Sequence, residues 1–309
     1  MAYKIRAIID TDPGVDDVCA LMLAFGSNLF DIPLICAAGG NSSMEKITQN
    51  TLHVLEILKR KNIPVAKGAI KPLEREAVYA PQAQGSSGLG GYDFDRNKIK
   101  TKPIEEEAFE AIYNTLIQDK KMTTLVALGP ITNYAKLIKF HPDCLQYIEQ
   151  IVFMGGSKDQ IIEPSIYREF NVAYDPEASE IVLKSGIPIV MVPMELGHFA
   201  YFDKDDIEKI RKTNKIGKIL AKMFENYKDH HVGGLGAAVH DSCAIYYLIN
   251  PEHFTTEERH LQIEFYQKDD KEFGFITNND LKKNNGKICI DMNIDQFKKD
   301  FFRILKEYK

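Results

Sequence analysis

The stretch Ile8 to Ala20, IIDTDPGVDDVCA, runs from an apolar segment into four carboxylates within eight positions, Asp10, Asp12, Asp16 and Asp17, and back into apolar sequence. If Lys4 to Ile9 is a buried strand, Asp10 and Asp12 fall at its carboxyl end, and their i, i+2 spacing sends both side chains the same way. Pro13 and Gly14 then turn the chain, and Val18 to Phe25 continues as a helix, which places Asp16 and Asp17 at a helix N-terminus, where the dipole favours negative charge. All four would converge at one edge of a sheet, the place where open α/β folds bind ligands. Like charges this close repel and need a cation, a shared proton or water. A helix cap and a loop hydrogen bond could account for Asp16 and Asp10. Asp12 and Asp17 stay unneutralised, and a cluster of hard oxygen donors suits Ca²⁺ or Mg²⁺.

Outward from this segment, apolar runs alternate with helical stretches: KIRAIID, DIPLICAAGG, IPVAKG, TTLVALGP, QIVFMGG and IPIVMVPM. Continuous apolar strands between helices predict an α/β fold with a mostly parallel central sheet covered on both faces. Helices are expected at Cys19 to Phe25, Ser43 to Lys61, Glu105 to Lys120, Asn133 to Lys139 and Pro176 to Ser185, the last with Asp175 as N-cap and proline at the first position. The segment Lys71 to Pro103 has little periodicity and reads as a mobile active-site loop. After about residue 255, LQIEFY, EFGFIT and KICIDMNI predict short strands before a closing helix at Asp295 to Lys306, a small C-terminal β extension. With no repeat and no Gly/Ser/Pro linker, residues 1–309 read as one domain.

Composition narrows the partners. The 309 residues carry 39 basic and 44 acidic side chains, net −5, without a strongly basic segment, so nucleic acid is not expected and small molecules are. The locally basic run Lys204 to Lys222 reads as a solvated helix face. Five scattered cysteines without CxxC spacing indicate neither a disulfide framework nor a zinc site. No run reaches the ~20 apolar residues that span a bilayer, and the N-terminus is too short in its apolar part for a secretory signal. A cytoplasmic protein without membrane partners is the expectation.

Other residues add to the acidic cluster. In GAAVHDSCAIYYLI, His240 and Asp241 precede an apolar helical run, and beside a metal cluster Asp241 is a candidate ligand and His240 a candidate proton donor. The strand ends AAGGN, with Asn41, VALGPITN and VFMGGS ring one face of the sheet. IYREFNVAYDPEAS supplies Glu169 and Asn171 on a loop before a capped helix, a pair suited to sugar hydroxyls.

So placed, the residues resemble the nucleoside hydrolase family, whose N-terminal signature is a DxDxGxDD-like run after the first strand. Here that run is Asp10 to Asp17, followed in order by GGN, LVALGPITN, VFMGGS, EFNVAYDPEAS and VHDSCA over about residues 4 to 250. The resemblance implies hydrolysis of the N-glycosidic bond of free ribonucleosides by a metal-activated water, through an oxocarbenium-like transition state. It implies Ca²⁺ held by Asp12, Asp17 and Asp241 side chains and the Leu128 backbone carbonyl, with Asp12 as general base. Asp16, Asn41, Met154, Glu169 and Asn171 would line the ribose, His240 would lie near the base, and Asp10 would orient its neighbours. The family also suggests homodimers or homotetramers.

Two departures bear on substrate. Where many members have histidine before the loop glycines, this chain has Gln84, which can hydrogen-bond a base but cannot act as an acid near pH 7. Where asparagine commonly reaches the ribose 5′ region, it has Glu163, which would repel a 5′-phosphate. His240 occupies the position of the purine-stacking tryptophan of one subgroup, and the chain contains no tryptophan; the resemblance is therefore to the inosine-uridine type, broad or pyrimidine-leaning, with Tyr227 and His231 near the base pocket. Two alternatives stand: a haloacid-dehalogenase-like Mg²⁺-dependent phosphohydrolase using Asp10 as nucleophile, which leaves Asp16, Asp17 and VHD without roles, and a non-catalytic ribonucleoside-binding protein.

Overall fold

The computed structural model describes residues 4–79, 84–85, 87–158, 169–225, 227, 236–268, 271–279 and 281–309. In chain order the elements are β1 (Ile5–Thr11), α1 (Val15–Gly26), β2 (Phe30–Asp31), β3 (Ile35–Ala37), α2 (Met44–Ile57), β4 (Val65–Lys67), α3 (Ala108–Asp119), β5 (Thr123–Ala127), α4 (Thr132–Phe140) and β6 (Ile148–Met154). There follow α5 (Phe170–Tyr174), α6 (Pro176–Leu183), β7 (Ile189–Val192), α7 (Met194–Phe199), β8 (Tyr201–Asp203), α8 (Lys204–Thr213), α9 (Lys215–Phe224), β9 (Gly236–Ala238) and α10 (His240–Ile249). The chain closes with β10 (Phe254–Arg259), β11 (Leu261–Lys268), β12 (Lys271–Asn278), β13 (Gly286–Met292) and α11 (Ile294–Leu305).

The main sheet has the order β10-β13-β7-β6-β5-β1-β3-β4, with β2 also paired to β1. Every pairing is parallel except β10 with β13. Strand β1 shows why its central residues, Ala7 to Ile9, are all apolar. Ala7 and Ile9 enter the core layer that holds residues of α1, α9, α10 and α11, while Ile8 enters the opposite layer with residues of α3, α4 and α6. Period-2 alternation persists, but both faces are buried at these three positions, so none of them is polar.

Local chemistry sets the element ends. Ser43 caps α2 at the expected start of that helix, and Asp175 caps α6 as the sequence suggests, accepting from the Ala178 N–H at 3.0 Å. Helix α1 begins three residues before the expected Val18, because the Asp17 carboxylate accepts the Gly14 N–H at 2.9 Å and closes the first turn. The basic run at 204–222 is two helices. Asn214 is extended between them, its side chain capping α9 through the Gly217 N–H (2.9 Å) and donating to the carbonyls of Leu305 (2.6 Å) and Tyr308 (2.8 Å).

Of the three C-terminal strands read from sequence, β11 and β12 form an antiparallel hairpin, whereas β13 joins the main sheet beside β7. In the segment 71–103, Leu89 is fully buried and the Gly91 N–H donates to the Met223 carbonyl.

Asp175 is fully buried and also accepts from the Leu73 N–H (3.0 Å) and the Thr132 hydroxyl (2.7 Å). Asp175→Ala strands three buried donors and is expected to cost about 3 kcal/mol, with Asp175→Asn losing roughly half of that. Urea unfolding of the two variants against the parent checks both magnitude and order.

Candidate active site

The acidic segment folds so that each carboxylate has a separate backbone address. Asp12 is the first residue beyond β1, and Asp16 and Asp17 occupy the first turn of α1. Asp241 lies in the first turn of α10, which packs across α1. All four are buried. Ligand atoms of Asp16, Asp17 and Asp241 lie within 4.8 Å of one another. Asp12 is close enough to Asp16 and Asp17 for their charges to act on it, although that triad does not include it.

Small residues hold Asp12 in place. A Cβ on Gly40 would stand 2.1 Å from Asp12 Oδ2, and one on Gly129 would stand 2.5 Å from Oδ1. The carboxylate therefore sits in a slot between the turns that follow β3 and β5. Its Oδ2 accepts the Asn41 N–H at 2.7 Å, and the Asn41 side chain donates back to the Asp12 carbonyl at 3.1 Å. Asp17 accepts from the Thr11 hydroxyl (2.5 Å) and from the Asp12 and Gly14 N–H groups (3.2 and 2.9 Å).

These partners orient the acids without neutralising them. Burial first, then the charges of Asp17 and Asp16, push Asp12 well above the ordinary carboxylate range. Burial, then Asp16, Asp17 and Asp12, do the same to Asp241. Burial raises Asp17 too, against the pull of its hydrogen bonds. Among the described residues, no lysine or arginine pairs with Asp12 or Asp17. A cluster of carboxylates held at fixed angles by neutral donors, where burial makes charge costly, has the donor set a hard divalent cation needs.

A second group faces the same sheet edge. The Asn171 amide donates to the carbonyls of Leu128 (2.9 Å) and Met154 (3.1 Å), tying the ends of β5 and β6 together. The Leu128 carbonyl, with two lone pairs, keeps one beyond that bond. Glu169 caps α5, accepting the N–H groups of Gly156 (2.9 Å), Asn171 (2.7 Å) and Val172 (2.9 Å). Burial raises its pKa against those bonds and against the nearby His240. The His240 Nδ1 lies 3.1 Å from the Met194 carbonyl, which fits a proton on Nδ1.

Asp12, Asp16, Asp17, Asn41, Leu128, Met154, Glu169, Asn171, His240 and Asp241 thus gather at the carboxyl ends of β1, β3, β5 and β6. Glu163 and His231 lie outside the described residues; Tyr227 is half-buried against the core layer of α1. Asp10 departs from expectation. It is fully buried within β1, its Oδ2 accepts from Asn133 Nδ2 at 2.9 Å, and burial pushes it up to about 7. The group Asp10 orients is Asn133, whose amide oxygen in turn accepts the Ala69 N–H at 2.9 Å. Gln84 also differs: its Oε1 accepts the Val15 N–H at 2.9 Å, not an open pocket.

The sequence reading places Thr11, Gly40 and Gly129 within its motifs, Gly129 as a turn residue, but assigns none of them a part in holding Asp12 or Asp17. It likewise assigns no part to Tyr174, whose buried hydroxyl has no hydrogen-bond partner among the described residues, would lie 3.0 Å from a Cβ on Gly39, and feels the charge of Asp12. No pattern in the sequence marks that tyrosine, because its position depends on how α5 meets the turn after β3.

The fold and this site define an N-glycosyl hydrolase of nucleosides: the description "Inosine-uridine preferring nucleoside hydrolase" matches residues 7–299, and the chain belongs to that family. It is 39% identical over 300 residues to the pyrimidine-specific ribonucleoside hydrolase RihA of Salmonella paratyphi B, covering 94% of each chain, and equally to that of Salmonella typhi. A plant nucleoside hydrolase, PpNRh1, superposes with a TM-score of 0.88 at 25% identity, over 98% of this chain and 99% of the other. The chain is a ribonucleoside hydrolase, which decides against the phosphohydrolase and the non-catalytic binder. Asp10, the nucleophile of the former, is locked to Asn133. Among the described residues no helix is long and apolar enough to cross a membrane.

Because the slot around Asp12 has no room for a methyl group, Gly129→Ala displaces the carboxylate without adding charge. Steady-state kinetics on uridine are expected to show kcat/KM lowered by about 10²-fold in a protein with parental circular dichroism.

Proposed function

We propose that the chain hydrolyses free ribonucleosides in a calcium-dependent reaction, with a lean towards pyrimidines. The observation that carries the reading is the buried carboxylate cluster, which pairs an all-oxygen donor set with neutral hydrogen-bond partners. Asp12, Asp17 and Asp241 would hold the ion with the Leu128 carbonyl. When bound, calcium supplies Lewis-acid charge that lowers the pKa of a water and offers coordination to sugar hydroxyls.

The remaining steps belong to the protein. Asp12 takes the proton of the attacking water, which is why its carboxylate is fixed by the Asn41 N–H and by two flanking glycines. Asp16, Asn41, Glu169 and Asn171 hold the ribose hydroxyls, and Met154 forms part of the wall beneath the ring. Their negative charge and carbonyl dipoles favour the positive ribosyl ring that develops as the glycosidic bond breaks. His240, with Nδ1 on the Met194 carbonyl, lies beside the departing base and contacts it, or as the imidazolium protonates it through Nε2. Glu163 repels a 5′-phosphate, which restricts turnover to free nucleosides.

Base preference rests on two supports: no tryptophan is available to stack a purine, and the RihA relatives are named pyrimidine-specific. We further propose a cytoplasmic homo-oligomer of single-domain chains.

A panel of ribonucleosides, scored for free reducing sugar with and without chelator, tests the reading. Activity is expected to vanish with chelator, to return with calcium, and to be greater on uridine than on uridine 5′-phosphate. Asp12→Ala should abolish it, and His240→Ala should lower kcat by about 10² to 10⁴-fold, most for purines. Robust turnover by Asp12→Ala contradicts the base assignment.

A further inference from the structure

We infer that Gln84 is a positioning residue for the cation site, holding from 69 positions away the turn that presents Asp16 and Asp17. The inference rests on the reading of that cluster as the calcium site. Helix α1 begins at Val15 behind a glycine, so the local sequence supplies no N-cap side chain. The Gln84 Oε1 accepts the Val15 N–H at 2.9 Å and fills that role, satisfying a donor the helix would otherwise leave open. Only 5% of Gln84 is exposed, and its amide lies flat on Gly14, where a Cβ would come within 2.5 Å of it.

Gln84 is itself held. The Gly90 N–H donates to its carbonyl at 2.8 Å, across a turn in which Gly85 and Gly90 take φ values of +72° and +61°. The Asn50 amide, fully buried on α2, donates to the carbonyls of Pro13 and Ser87, both at 3.3 Å. Arg96 donates to the Asn50 Oδ1 (3.1 Å) and to the Ser87 carbonyl (3.0 Å). Residues 84–85 and 87–96 and the turn 13–15 are therefore fastened to each other at two places, Gln84 on Val15 and Asn50 between Pro13 and Ser87. Both ends of the acidic turn depend on those residues.

The consequence is energetic. Asp17 closes the first turn of α1 with its own carboxylate, the same group that the cation needs. If the turn frays, binding must reorder it, and the ordering free energy is subtracted from affinity; a group that keeps the turn formed raises affinity by the same factor. A capping bond of ordinary strength sets the scale at about five- to thirtyfold in calcium Kd.

The test uses the full chain and calcium alone, by isothermal titration after chelator treatment, with two variants that break the contact from opposite sides. Gln84→Met keeps the bulk and removes the acceptor; Gly14→Ala adds a methyl group where the amide now lies. Each is expected to weaken calcium by about five- to thirtyfold, and the double variant to be no weaker than the worse single one, since both remove one interaction. A cap that serves only the fold lowers Tm equally with and without calcium and leaves Kd unchanged; that result for Gln84→Met overturns the inference. Additive losses in the double variant overturn it as well. A parent that takes up no calcium overturns the cation reading itself, whereas a parent that binds beside an unaffected Gln84→Met overturns this inference alone.

Discussion

Four buried carboxylates within reach of one another are the constraint on which the rest of the molecule depends. Each ionised acid taken out of water carries a desolvation cost of several kcal/mol, and mutual repulsion adds to it. Hydrogen bonds from Thr11, Gly14 and Asn41 direct the oxygens of Asp17 and Asp12 but bring no compensating charge. Burial and the charges of neighbouring acids raise Asp12 and Asp241 well above the ordinary carboxylate range, which is the sign of that cost. A fold that maintains such a cluster spends stability on it, and the return is an electrostatic site built before substrate arrives.

The parallel sheet makes this arrangement possible. The carboxyl ends of β1, β3, β5 and β6 bring short turns from distant sequence to one edge, and each contributes a polar group or a carbonyl at a fixed height. Glycines do the close work: Gly40 and Gly129 border Asp12 where no side chain fits. Asn171 then fixes the spacing between β5 and β6 through two carbonyls. The walls of the pocket and the support of the acids are therefore the same backbone, so a small shift at a strand end reaches the chemistry.

Most of this was legible in the order of residue types. The strand-to-carboxylate-to-helix transition at Ile8 to Ala20, the Asp175-Pro176 cap and the VHD helix start are local signals, and each lies where its local chemistry requires. What escaped reading depends on contacts between distant segments. Asn214 splits a run of uniform helical periodicity because its side chain reaches the carbonyls of Leu305 and Tyr308. Strand β13 resembles its hairpin neighbours in pattern, yet only the exposed edge of β7 decides that it joins the main sheet. Gln84 has the chemistry of a base contact; only its proximity to Gly14 shows that its oxygen is committed to a helix.

The most direct measurement is a crystal structure of the calcium-soaked protein, with anomalous differences collected at a wavelength where calcium scatters. The account predicts one anomalous peak per chain, bonded to carboxylate oxygens of Asp12, Asp17 and Asp241 and to the Leu128 carbonyl at ~2.3 to 2.6 Å. A map with no peak at the cluster, its acids joined to one another by protons or to a lysine, would contradict it.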